Sequence, residues 1–75
     1  MKISFHSERL KKERLQKNLT QEALAERCDS SERYIRDLEN SRKAHPSAEM
    51  LYRVASTLEI PMEYLVDIEE KEKSE

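Results

Sequence analysis

Four charged side chains crowd one short segment of this chain. Glu32, Arg33, Arg36 and Asp37 lie within six residues, with Asn40 just beyond. An arginine offers a planar fork of donors that matches phosphate oxygens and the O6/N7 edge of guanine. A glutamate can accept from the N4 amine of cytosine, although it also repels phosphate. This is the chemistry of recognition, and it works only if the groups are held outward on one arc of a rigid helix. Ile35 and Leu38 supply the opposite, anchoring arc, with Tyr34 at its edge. Asp37 also stands at i+4 from Arg33, where the two can pair with each other.

Catalytic chemistry has little support. The chain has no Gly, so it has no glycine-rich phosphate loop, and no Ser-His-Asp constellation or carboxylate pair in a plausible cleft is visible. Cys28 has no neighbouring His and reads as a small core residue, not a nucleophile. His6 and His45 lack a metal-ligand spacing. No enzyme activity, cofactor or metal is expected.

The elements that must position the charged arc can be followed along the chain. A first helix is expected to start near Ser4 or Ser7, to carry Leu10 and Leu15, and to end near Asn18, which tolerates a left-handed backbone. Thr20 is a strong N-cap for a second helix, whose Leu24, Ala25 and Cys28 share one face. Asp29-Ser30-Ser31 breaks the pattern, and Ser31 caps the third helix, the one with the arginines. Two helices joined by so short a corner form a helix-turn-helix. Asn40 to Pro46 reads as a polar, basic loop. Ser47 caps a fourth helix with Met50, Leu51, Val54, Ala55 and Leu58 at helical spacing, and Pro61 starts a short fifth helix bearing Met62, Leu65 and Val66. Residues 69–75 alternate charges and are expected to form a disordered tail.

Composition sets the frame. Seventy-five residues suffice for one small domain, and with 36% hydrophobic and 5% aromatic residues its core must be aliphatic. The absence of Gly, only two Pro, and abundant Glu, Lys, Arg and Leu favour helices over strands. The single cysteine can form no internal disulfide, and neither a signal peptide nor a membrane span is visible, so a reduced, cytoplasmic setting is expected. Net charge is −2, but it is unevenly spread. Residues 1–47 carry 11 Lys and Arg against 8 Asp and Glu, whereas residues 48–75 carry 3 against 8. A basic front can still steer one face onto a polyanion.

The string Leu19-Thr20-Gln21-Glu22-Ala23-Leu24-Ala25-Glu26, followed by Ile35, Leu38-Glu39-Asn40, Pro46-Ser47, Leu51, Val54-Ala55 and Leu58, resembles the Cro/CI-type (xenobiotic-response-element) helix-turn-helix family. The resemblance runs from about Leu10 to Val66. It implies an all-α, compact five-helix lambda-repressor-like bundle over residues 1–68, with its helix-turn-helix at 21–40. It further implies repression or activation of transcription; a sequence-specific regulator, a repressor first of all, is expected to bind a double-stranded DNA operator as a homodimer and to lay its third helix in the major groove.

Roles at matching positions follow from the same resemblance. Gln21 would meet a phosphate at the start of the second helix. Glu32, Arg33 and Asp37 would face base edges, and Arg36 would lie near the same groove. Asn40, Arg42 and Lys43 would hold the DNA backbone, and Thr20 and Ser31, at the helix starts, belong to the same contact set. Arg14 and Glu39 match a pair that ties the first helix to the third. The chain departs from the family at the corner, where Asp29 and Ser30 replace the usual Gly and apolar residue, and at Ser41, where Gly is common. The C-terminal half offers more apolar side chains than a domain of this size needs, and a subset of Met50, Tyr52, Tyr64 and Ile68 is expected at a dimer interface. The alternative is a protein-interaction module, such as an antitoxin or adapter, built on the same fold. No membrane partner is expected.

Overall fold

The computed structural model describes residues 2–40 and 45–69. Strand β1 (Lys2–Phe5) leads into helix α1 (Ser7–Gln16), followed by α2 (Gln21–Arg27), α3 (Glu32–Glu39) and α4 (Ala48–Leu58). A 3-10 turn at Met62–Leu65 then delivers the chain into strand β2 (Val66–Glu69). The strands pair antiparallel, with Ile3 opposite Ile68 and Phe5 opposite Val66.

The capping residues act as their chemistry dictates. The hydroxyls of Thr20, Ser31 and Ser47 accept from the N–H groups of Ala23, Tyr34 and Met50 at 3.0, 3.1 and 3.1 Å. At the other ends the chain has to turn without glycine. Asn18, Asp29 and Glu59 take left-handed backbones with φ of 58°, 59° and 60°. After each, the next N–H reaches back to a carbonyl five residues earlier: Leu19 to Arg14, Ser30 to Ala25, and Ile60 to Ala55. Asp29 thus fills the corner's glycine position, at some steric cost.

One aliphatic core unites the elements. Leu10, Leu19, Leu24, Ala25, Cys28, Ile35, Leu38, Val54, Ala55, Leu58 and Leu65 are buried together. Helices α2 and α3 pack against each other, and Ala25 of α2 is buried in the shared core. Cys28 is core, as its setting required. Its Sγ–H donates to Thr57 Oγ1, and burial pushes the thiol pKa up from its ordinary value, against smaller opposing effects of Thr57 and Arg53.

Five expectations need correction. The fifth helix is only the four-residue 3-10 turn, and the fold is not purely helical, because the two ends of the chain form a small sheet. Val66 is already extended, with φ −133° and ψ 154°, and β2 runs through Glu69, the first residue of the expected tail. Residues 70–75 lie outside the described residues. Neither Ser4 nor Ser7 caps α1. His6 occupies that position without a side-chain cap, and its N–H is held by Leu65 O at 2.7 Å as the strand runs straight into the helix. Leu15 is 55% exposed, because Leu10 and Arg14 take the inward positions of α1. Among the described residues, no helix is long and apolar enough to cross a membrane.

Candidate nucleic-acid interface

Helix α3 is eight residues long and strongly two-faced. Ile35, Leu38 and Glu39 point inward, and Tyr34 is half-buried. Glu32, Arg33, Arg36 and Asn40 are therefore exposed, and Asp37 is partly so. Ser31 begins the helix and is itself exposed, as is Thr20 at the start of α2. Arg42 and Lys43 lie outside the described residues.

The ion pair on this face is not the one anticipated. Arg36 Nη2 lies 3.5 Å from Glu32 Oε2, whereas Arg33 and Asp37 make no ion pair among the described residues. Those two instead line a shallow depression with Ser31 and Tyr34. Burial of the Tyr34 ring raises its phenol pKa, so the hydroxyl stays protonated near neutrality. Both members of the Arg36–Glu32 pair are about half exposed, so it stabilises by well under about 1 kcal/mol and opens readily to a competing ligand.

The inner side of the helix is tied far more firmly. Arg14 Nε donates to Glu39 Oε2 at 2.6 Å, Nη2 to Oε1 at 3.1 Å, and Nη1 to the carbonyl of Leu19 at 2.7 Å. The Glu39 carboxylate also accepts from Gln21 Nε2 at 3.0 Å. The side chains of Arg14 and Glu39 are only 8% and 1% exposed, and among the described residues no buried side-chain polar atom lacks a partner. Arginine suits this position because its fork satisfies both carboxylate oxygens at once. The network joins α1, the first residue of α2 and the last residue of α3, so the angle between the two helices of the corner is braced at its base.

Gln21 therefore has a bracing role that sequence reasoning missed. Its Nε2 amide is committed to Glu39. No pattern in the sequence announces this contact, because the partners are 18 residues apart. Arg53 was also overlooked. It reaches the carbonyl of Cys28 at 3.3 Å, Glu49 at 2.6 Å and Asp29 at 3.8 Å, and so holds the corner against α4. Only its Glu49 partner, at i−4, was visible as a signal.

A mostly helical domain carrying a braced helix-turn-helix, with a polar arc turned out from its second helix, is the lambda-repressor-like arrangement. A family model described as "Helix-turn-helix" matches residues 10–65, and the chain belongs to this Cro/CI-type helix-turn-helix family. No curated protein sequence matches the chain. Solved structures do. The crystal structure of SinR, a master regulator for biofilm formation, in complex with DNA is similar at 25% identity and a TM-score of 0.76, covering 79% of this chain and 94% of that one. The N-terminal DNA-binding domain of SinR from Bacillus subtilis gives 25% identity and a TM-score of 0.76, over 89% and 94% of the two chains. In the SinR–SinI complex the likeness is 25% with a TM-score of 0.75, and this chain spans only 57% of that SinR chain.

Proposed function

We propose that the chain is a sequence-specific, double-stranded-DNA-binding transcriptional repressor that acts as a homodimer, each copy laying α3 in the major groove. One observation carries this reading: the exposed arc Glu32, Arg33, Arg36 and Asp37 stands on a helix whose other arc is locked by Ile35, Leu38 and the Arg14–Glu39 pair. A helix so held keeps its side chains at fixed depth, which direct readout of base edges needs. Membership of the family and the likeness to SinR bound to DNA support it.

In this reading Arg33, which makes no ion pair among the described residues, takes a guanine edge. Arg36 exchanges Glu32 for a phosphate or base, Glu32 accepts from cytosine, and Asp37 limits which base fits beside Arg33. Thr20, Gln21, Ser31, Asn40, Arg42 and Lys43 meet the sugar–phosphate backbone and set register. Two copies would read half-sites roughly 34 Å apart on one DNA face.

Selection of bound duplexes from a random pool tests the proposal. Enriched sequences with two-fold symmetry are expected, and affinity should fall steeply with salt. In that operator, Arg33→Ala should cost about 1–3 kcal/mol and relax preference at one position. A pool that never departs from random would refute the reading. A protein partner is the second reading, favoured by the solved SinR–SinI complex; a pull-down that yields one stoichiometric protein while selection enriches no DNA would establish it.

A further inference from the structure

The small sheet has a feature that the DNA-binding surface does not use. His6 N–H bonds to Leu65 O at 2.7 Å, and in the observed register His6 stands opposite Leu65. Hydrogen-bonding direction alternates along a strand, so Ser4 also faces β2, while the N–H and C=O groups of Ile3 and Phe5 point to the outer side of β1. Among the described residues the sheet has two strands, and β1 packs chiefly against β2. Neither Ile3 nor Phe5 makes a further backbone bond among the described residues. That edge is an open template. Beside it Ile3 is 49% exposed and, with Leu51, Met62, Glu63 and Val66, lines an apolar groove, and its cross-strand neighbour Ile68 is 53% exposed.

We propose that two copies of this chain join through the outer edges of β1, antiparallel about a two-fold axis at Ser4, to make one four-stranded sheet. The proposal rests on the homodimer reading above and names its surface. In this register Ile3 of each copy faces Phe5 of the other, exchanging both backbone bonds, so four hydrogen bonds form in all. An aromatic side chain then lies beside a β-branched one on the apolar face, a favourable cross-strand pair, and covers the mouth of the groove. Ser4 meets Ser4 of the second copy on the opposite face.

Charge selects this edge over the other one. Val66 and Ile68 present the free groups of β2, so a β2–β2 union must place Asp67 against Asp67 or against Glu69 of the second copy, or shift until few pairs remain. Like charges directly opposite are destabilising. The Lys2–Phe5 strand carries no acid and is self-complementary about Ser4.

The full-length chain tests this directly. Ser4→Cys places two thiols at a non-hydrogen-bonded pair about 4.5 Å apart between Cα atoms, within disulfide range. Mild oxidation should convert it into a covalent dimer, while Ile68→Cys and the native chain, whose Cys28 is buried, should stay uncrosslinked. Ile3→Pro removes the outward N–H and spares the ladder to β2. With one bond lost per copy, the dimer dissociation constant from sedimentation equilibrium should rise about tenfold. If Ile3→Pro loses the native circular dichroism, the Ser4→Cys result decides.

A native chain that is monomeric at all concentrations overturns the proposal and leaves the edge to a foreign strand. So does a native dimer in which Ser4→Cys does not crosslink, or a folded Ile3→Pro with unchanged self-association. Two-fold symmetric operators obtained together with an uncrosslinked Ser4→Cys would reject this interface and leave the DNA-binding reading standing. Crosslinking with no DNA enrichment would do the reverse.

Discussion

Glu39→Gln isolates the brace beneath the candidate interface. The substitution keeps shape and one oxygen acceptor, but it sets a neutral amide against the guanidinium of Arg14, which is buried with it. Two charge-assisted bonds at 2.6 and 3.1 Å lose their anion, and the Gln21 contact at 3.0 Å weakens with them. Breaking a buried pair by neutralising one partner costs about 3–5 kcal/mol, because the other charge remains desolvated. A single core of this size supplies only about 3–5 kcal/mol of stability. The variant is therefore expected to sit near its unfolding midpoint without denaturant. Removing both charges, as Arg14→Leu with Glu39→Leu, should cost clearly less than the two single changes combined, since no stranded charge remains; the Leu19 carbonyl loses its donor and keeps the double variant below the native chain. Urea titration followed by circular dichroism at the helical band gives each value. A Glu39→Gln midpoint within about 1 kcal/mol of native, or simple additivity in the double variant, would refute the argument that this pair is energetically coupled.

Other expectations are simpler. Ser47→Ala should lose about 1 kcal/mol by urea titration through its lost bond to Met50 N–H. Glu59→Gly should raise the melting temperature, because a left-handed non-glycine backbone costs about 1–2 kcal/mol and the entropy that glycine adds to the unfolded chain offsets only about half of it. Glu32→Gln removes a carboxylate that repels phosphate and releases Arg36; filter binding should show tighter binding to all duplexes and weaker discrimination at one cytosine. For Cys28, burial raises the folded thiol pKa, so the unfolded chain loses its proton first. The thiol's contribution is thus whole below its ordinary value of 9.0 and declines as pH rises above it; Cys28→Ala should show a shallower alkaline loss of stability, and the native thiol should react with a disulfide reagent only on unfolding.

The candidate site was legible where its determinants are local. Ile35 and Leu38 on one arc and Arg33 and Arg36 on the other follow from the helical repeat alone, as do the caps at Thr20, Ser31 and Ser47. The left-handed corner at Asp29 was readable because so few residue types tolerate it. The pairing of Arg36 with Glu32, not Arg33 with Asp37, was undecided by spacing. Both pairs stand at i, i+4, so the helical repeat does not separate them.

The sheet shows where local reasoning stops. Lys-Ile-Ser-Phe and Val-Asp-Ile-Glu each alternate polar and apolar residues, but four residues are too few to hold a strand alone. Their pairing spans almost the entire chain and exists only because α1 and the 3-10 turn bring His6 to Leu65. By itself, the order of residues determined the helix-turn-helix, its caps and its outward charges, since each depends on neighbours within about one turn. The tertiary structure alone decided that Gln21 joins the Arg14–Glu39 pair and that the chain ends close into a sheet with an open edge, because those contacts are made by residues distant in sequence and pay their ordering entropy only once the core has formed.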